Sequence, residues 1–300
     1  MTVTTFPSLG FGTAAIALGP EAEAMKTIDL ALEAGIQYFD TAPLYGGGQA
    51  EVRLGRALKG MSSDIIVSTK CGRFRQFGAP AQAGTSQADV WDFSEQSVRE
   101  SIERSCERLD RNHLNVVFLH DIEAAQDQAF HEALPVLREL QSAGRIGAVG
   151  AGCNTVVGLL SAVDAGAADV LLIAGRWTLL DRTAGTELLP AAANAGVSVV
   201  AGGVLNSGCL ACPEMPDAKF NYRPIQSEER ATLDKLVAVA VQFNVSLTAA
   251  ALQFPQRETR VRTSLLGASG SAQLQSTLDA LLEPIPDGFW KAVEDMGLSA

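Results

Sequence analysis

No apolar run in the 300-residue chain reaches the roughly 18 residues of a membrane-spanning helix, so no span is expected. The N-terminus has no basic stretch followed by an apolar core, so no signal peptide is expected either. Positive charge is scarce: 23 Lys and Arg face 34 Asp and Glu, for a net charge of −11. That argues against sequence-independent binding to nucleic acid or to an anionic membrane, both of which need a basic surface. The same balance is ordinary among soluble enzymes and says little about a substrate. The five cysteines (Cys71, Cys106, Cys153, Cys209 and Cys212) are odd in number and scattered. Cys209 and Cys212 make one CxxC with no second pair to complete a zinc site, so reduced thiols in a cytoplasmic setting are expected, and no metal. No GxGxxG follows the first strand, which weakens a Rossmann reading. There is no low-complexity segment and no convincing interdomain linker.

What the chain has is apolar material in a regular order. Hydrophobic residues make up 47% and charged residues 19%, enough for a large core and too little charge for global disorder. Apolar strands are expected at 9–13, 36–40, 65–70, 116–120, 146–151, 170–174, 197–201 and 263–266. Helical spacing lies between most of them. Met25, Ile28 and Leu32 follow Pro20-Glu21 and stop at Gly35; Ser94-Glu95 opens a helix with Val98, Ile102, Cys106 and Leu109 inward. Eight strands joined by helices predict a closed (β/α)8 TIM barrel as one domain over 1–300, with a doubly wound open sheet as the alternative. Two long inserts, 71–93 and 202–226, both follow strands. They are therefore expected at the C-terminal face of the barrel, where active sites are built.

The centre of the pattern is Phe39-Asp-Thr-Ala-Pro-Leu-Tyr-Gly46. Its apolar run ends in a carboxylate and leads into a loop that carries a tyrosine. An unperturbed phenol has a pKa of about 10, so Tyr45 needs a nearby cation to exchange protons near neutrality. Lys70 ends another strand and supplies that cation; Asp40 would hold Lys70 in place and keep it charged, bringing Tyr45 closer to working pH. His120 ends a third strand and would orient a substrate oxygen. Each residue alone has an ordinary explanation: a helix cap, a solvated lysine, a structural histidine, a packed tyrosine. All four at strand ends on one face of one fold are harder to explain that way.

These segments, with Val67-Ser-Thr-Lys70, Phe118-Leu-His120 and Gly144-Arg-Ile-Gly147, resemble the aldo-keto reductase family over nearly the whole chain. The family tetrad of Asp, Tyr, Lys and His falls on Asp40, Tyr45, Lys70 and His120. The resemblance implies a (β/α)8 barrel, a nicotinamide cofactor bound without a Rossmann domain, and hydride transfer to or from a carbonyl carbon. It implies cofactor contacts from Gly12, Thr13, Asp40 and Asn154, and from the final strand and turn at Gly267, Ala268, Ser269 and Gln273. The loop Gly203-Val-Leu-Asn-Ser-Gly208, including Leu205, Asn206 and the Ser207 hydroxyl, would cradle a pyrophosphate. Three positions depart from the family pattern. Cys153 stands for the usual serine, Ala174 for the glutamine after the sixth strand, and Gly202 for the tyrosine that stacks on the nicotinamide. Arg176 or Trp177 would compensate, or Trp177 is loop packing.

Members that prefer the phosphorylated cofactor carry Lys or Arg where this chain has Gly267, Ser269 and Gln273. NAD is therefore expected over NADP, with NADP use still open. Trp91-Asp-Phe-Ser94, Gly175-Arg-Trp-Thr-Leu-Leu-Asp181 and the 202–211 loop resemble the bacterial sugar-dehydrogenase branch of the family. That branch implies oxidation of the C1 hydroxyl of an aldose of the L-fucose, D-threo type to its lactone. Tyr45, His120, Trp91 and Trp177 would touch the substrate, and Phe74 and Phe77 would join Trp91 in lining the pocket. Oxidation of pyridoxal as its hemiacetal is chemically parallel. An NADPH-dependent aldehyde or ketone reductase and a cofactor-sensing regulatory protein are the other readings. The expected partner is a small sugar or pyridoxal-like molecule; oligomeric state is not legible.

Overall fold

A computed structural model describes residues 6–61, 64–75 and 89–297. Eight parallel strands close into a barrel: β1 (Leu9–Gly12), β2 (Tyr38–Asp40), β3 (Ile66–Cys71), β6 (Leu114–His120), β7 (Ile146–Cys153), β8 (Val170–Ala174), β9 (Ser198–Gly202) and β12 (Val261–Gly267). The intervening numbers belong to two short hairpins, β4 (Arg73–Arg75) with β5 (Asp89–Trp91), and β10 (Lys219–Phe220) with β11 (Arg223–Pro224). The (β/α)8 reading therefore holds. No single helix among the described residues is long and apolar enough to cross a membrane.

Alternation along the strands makes two cores. Tyr38, Val116, Phe118, Ala148, Val170, Leu172, Val200 and Leu265 form one buried cluster. Their sequence neighbours Phe39, Val117, Leu119, Val149, Leu171, Ile173, Val199 and Leu266 join a much larger cluster shared with the helices. A period of two, read on strands whose two faces are both buried, produces this division. Register then decides what reaches the rim: Gly12 pairs with Asp40, Asp40 with Ser68, and Lys70 with Phe118.

Local signals place the helices. Ser94 caps the helix Glu95–Leu109 by accepting from the Ser97 N–H at 3.4 Å, and Gly35, at φ 80°, follows the end of Glu21–Glu33. The helix Ser227–Phe243 begins with a capping box between Gln226 and Glu229. Buried Glu51 ties the helix Gln49–Ala57 to the barrel, accepting from Thr69 Oγ1 and Arg108 Nε at 2.6 Å each. The structure adds three elements to the sequence reading. Both long inserts carry a hairpin, and the helix Leu247–Gln253 precedes the last strand, capped by Ser246. Short strands of two or three residues leave too little alternation to read, and the alanine-rich helix has no polar face because it is buried almost throughout.

Candidate active site

The strand ends bring Asp40, Lys70 and His120 to one rim. Tyr45 joins them on the one-turn helix after β2, where Gly46, Gly47 and Gly48 all have positive φ. Lys70 is 2% exposed, and its Nζ donates to Asp40 Oδ2 at 2.6 Å and to the Thr41 carbonyl at 2.8 Å. An ammonium has three N–H bonds; Nζ also lies 4.8 Å from the centre of the Tyr45 ring. The His120 ring meets Tyr45 edge to face, with centres 6.2 Å apart. Behind Asp40 the polar chain continues inward: Ser68 Oγ donates to Asp40 Oδ1 at 2.7 Å, and Tyr38 Oη lies 3.0 Å from Ser68 Oγ. Asp40 is thus held at both oxygens, one by the lysine and one by a hydroxyl.

Burial sets the protonation states. It acts to lower the Lys70 pKa, but the adjacent Asp40 carboxylate and the Tyr45 phenol outweigh it, and the lysine stays charged. Burial drives Tyr45 up to about 12, with Lys70 pulling it down only in part. The sequence expectation that Lys70 brings Tyr45 toward working pH is corrected here: the cation is present, but desolvation of the phenolate is the larger effect. His120 falls well below its ordinary value through burial and through the Lys70 and Arg73 cations, so it is a neutral imidazole at physiological pH.

Tyr45, Lys70 and His120 line a cavity of about 260 Å³, together with Asn154, Cys153, Arg73, Asp121, Leu172, Ala174 and Tyr222. Asp40 stands behind Lys70 rather than in the wall. Three polar wall residues, Arg73, Asp121 and Tyr222, were not singled out in the sequence. Arg73, buried on the hairpin after β3, pairs with Asp89 and with Asp121, the residue after His120. Burial raises Asp121 to about 6 despite Arg73, and its Oδ1 accepts from Asn154 Nδ2 at 3.1 Å. Tyr222 reaches the cavity from the turn between β10 and β11. A titratable residue immediately after His120 was the one available signal for Asp121; Arg73 and Tyr222 lie in inserts without a readable period.

Several expected contacts are relocated. Trp91 stands behind the wall: its Nε1 donates to the Asp121 carbonyl at 3.0 Å and its ring lies under Arg73, 4.9 Å from the guanidinium. Trp177 is 9% exposed, packs on Phe254 with ring centres 5.3 Å apart, and is not among the cavity residues. An indole buries so much apolar area that packing wins over the polar rim. The Arg176 guanidinium is committed to the Asn154 carbonyl at 2.8 Å and to Asp181 Oδ2 at 2.6 Å, so it braces the loops. Phe74 borders a separate surface depression with Val90 and Arg75, and Phe77 lies outside the described residues.

The cofactor segments show a similar sorting. The Asn206 side chain is buried between Thr178 Oγ1, 2.5 Å away, and the Gly175 carbonyl at 3.1 Å; it shapes its loop and is not free to bind. The amides of Asn206 and Gly208 are spent on the carbonyls of Gly203 and Leu205. Ser207 Oγ accepts from the Tyr222 N–H at 2.9 Å, which leaves its hydroxyl proton to donate. The cradle is therefore narrower than a bare glycine-serine loop suggests. Gly12 and Thr13 lie at the barrel rim, with Thr13 Oγ1 donating to the Asp40 carbonyl at 3.0 Å. A Cβ built at Gly208 or Gly267 would meet nothing within 4 Å, so the backbone is open to solvent at both. Ala268 is buried, and Gln273 Oε1 accepts from both the N–H and the hydroxyl of Ser269, at 2.7 and 2.9 Å. Of the residues expected to meet a cofactor, Asn154 is the one that lines the cavity itself.

Comparison with known proteins agrees with this geometry. The Aldo/keto reductase family model matches residues 8–297. D-threo-aldose 1-dehydrogenase of Pseudomonas sp. is 35% identical, over 97% of this chain and 94% of its own. Pyridoxal 4-dehydrogenase of Microbacterium luteolum is 32% identical, over 98% and 95%. Among solved structures, the holo form of aldo-keto reductase AKR11C1 from Bacillus halodurans is similar at a TM-score of 0.78 and 26% identity, covering 96% of this chain and 91% of that one.

Proposed function

Because the chain belongs to the aldo/keto reductase family and is an NAD(P)-dependent oxidoreductase, we propose that it oxidises the C1 hydroxyl of an aldose of the L-fucose, D-threo type to the lactone, with NAD as hydride acceptor. The observation that carries this reading is the convergence of Tyr45, Lys70 and neutral His120 on one small cavity, with Asp40 buried behind the lysine. The Pseudomonas relative, whose name states that activity, supports the sugar. The Microbacterium relative favours a second reading, oxidation of pyridoxal, whose cyclic hemiacetal also gives a lactone.

The chemistry follows from the protonation states. A bound NAD would supply the hydride acceptor for C1. Tyr45, as the phenolate, takes the hydroxyl proton, and the C1–oxygen bond becomes the lactone carbonyl. Lys70 stabilises that phenolate by charge, and Asp40 keeps Lys70 pointed at it. His120, neutral, offers one hydrogen-bonding nitrogen to the same substrate oxygen and so fixes which face of C1 is turned to the cofactor. Asn154 would hold the carboxamide end of the nicotinamide.

With the Tyr45 phenol pushed up to about 12, the base form is scarce at neutrality. Oxidation needs that form, so kcat/KM for the sugar is expected to rise with pH throughout 6 to 9, by up to about tenfold per unit. Lactone or aldehyde reduction uses the protonated phenol and should stay nearly flat over the same range. A plateau in the oxidative profile below pH 8 would remove Tyr45 from the role of base.

NAD preference has a structural support beyond the missing cations. Glu23 Oε1 accepts from the N–H and the hydroxyl of Ser271 at 2.7 Å each, at the first turn of the helix Ser271–Leu281. A carboxylate therefore occupies the helix end that would otherwise attract a 2′-phosphate. Glu23→Gln is expected to improve NADP relative to NAD at least severalfold in Kd; an unchanged ratio would assign Glu23 to capping alone. The buried free thiols fit a reducing, cytoplasmic location.

The test is absorbance at the reduced-nicotinamide band. Purified protein receives NAD or NADP, then L-fucose, L-galactose, D-arabinose, L-xylose, D-glucose or pyridoxal in turn. Reduction of NAD by one sugar stereochemical series supports the proposal. Turnover of pyridoxal alone keeps the mechanism and changes the substrate. No turnover of any of them, with NAD still bound, would transfer the assignment to a reductase of another carbonyl or to a cofactor sensor.

A further inference from the structure

Tyr222 lines the cavity with Tyr45, Lys70 and His120, yet the reaction above gives it no task. Its setting is unusual. Asn221 and Tyr222 are the two residues that join β10 to β11, at φ 50° and 64°. A two-residue hairpin turn with both residues left-handed is the type that favours Asn-Gly. Asn221 is the expected residue; a bulky tyrosine stands where glycine belongs, in a backbone region that side chains disfavour.

Everything around that ring is anchored. The Tyr222 N–H donates to Ser207 Oγ at 2.9 Å. With its amide turned so that the oxygen faces Arg176, Asn221 accepts from that guanidinium at 2.9 Å. Phe220 is buried, and Arg223 lies over its ring while pairing with Glu229. Gly175, at φ 70°, lets the turn sit down: a Cβ there would come 2.9 Å from the Asn221 side-chain amide. The Tyr222 side chain is the exception, 61% exposed at the cavity mouth. The hairpin spends its contacts on presenting this ring, not on burying it.

We propose that Tyr222 is a specificity-determining residue whose ring forms the outer wall of the substrate site, packing against the C–H face of a pyranose held over Tyr45 and His120. This rests on the functional reading above and deepens it. A sugar ring has an apolar face and a polar edge; an aromatic ring gains area and dispersion against the first while its hydroxyl meets the second. Fixing the ring through backbone anchors means that little freedom is lost on binding.

The experiment compares wild type with Tyr222→Gly, Tyr222→Asn and Tyr222→Phe, reading sugar KM and kcat, NAD Kd by protein fluorescence, and Tm. Glycine and asparagine both suit the left-handed turn, so the fold survives either change and Tyr222→Gly is expected to match or exceed the wild-type Tm. Both variants should raise KM for the sugar about tenfold, equivalent to about 1.4 kcal/mol, with kcat within threefold and NAD Kd within twofold. Tyr222→Phe should keep KM within threefold. An unchanged KM in Tyr222→Gly overturns the proposal, as does a lost Tm, which would make the tyrosine structural. A raised NAD Kd with unchanged sugar KM also overturns it, by moving the ring onto the cofactor. Wild-type silence toward every cyclic hemiacetal removes the functional reading and this inference together; an active wild type with an indifferent Tyr222→Gly removes the inference alone.

Discussion

Tyr45→Phe is expected to lower kcat for sugar oxidation by a factor of about 10² to 10⁴, the range for removing a positioned acid–base group. The substitution deletes one oxygen and leaves the ring, so the edge-to-face contact with His120 and the ring beneath Lys70 persist. NAD Kd and Tm should therefore move little. The separation of a large kcat loss from an unchanged Tm is what assigns Tyr45 to proton transfer. A variant that kept more than a tenth of wild-type kcat would show that solvent or another group exchanges the proton.

The second large effect lies one residue deeper. Asp40→Ala is expected to destabilise the protein by about 3 to 5 kcal/mol in urea unfolding, because it leaves Lys70 charged, 2% exposed and without its counter-ion. The Lys70 pKa, held above its ordinary value only against burial, would then fall, and tyrosinate stabilisation would go with it. Lys70→Met in the same background should restore part of the stability and none of the activity. Sign matters here. A lysine with a raised folded pKa contributes stability that is complete below its unfolded value and lost only as pH rises through the folded one, so the lysine's contribution should be insensitive to pH across 6 to 9. If Asp40→Ala proved neutral to stability, Lys70 would have to be solvated in a way its burial does not allow.

The barrel was legible because its strands are apolar runs closed by glycine stops and polar caps, and each such signal acts within a few residues. Asp40, Lys70 and His120 could be placed for the same reason: a titratable residue at the end of an apolar run has nowhere to go but the rim. What could not be read depends on distance in space. Whether Trp177 faces the cavity or Phe254 is decided by a helix some 80 residues on, as measured by their numbers. Whether Ser207 and Asn206 are free is decided by Tyr222, Thr178 and Gly175. The direction of the Tyr45 shift was misjudged because a sequence shows the neighbouring cation and hides the burial that opposes it. Arg73 sits on a strand of three residues and Tyr222 in the turn between strands of two, too short for any period.

Among the described residues the barrel closes through its eight strands, and β4–β5 and β10–β11 are separate two-stranded sheets. Asp40, Lys70 and His120 stand on the closed part and Tyr45 on the one-turn helix just after β2, whereas Arg73 and Tyr222 stand on or between the strands of the detached parts. Inheritance can therefore act on the two separately. A lineage can lengthen, shorten or replace either hairpin and meet a new substrate without disturbing the ladder that fixes Asp40 against Ser68. The reverse is closed to it: altering that ladder shifts the lysine and the acid at once. Divergence in this fold should accordingly accumulate at the hairpins, while the tetrad is handed down as a block.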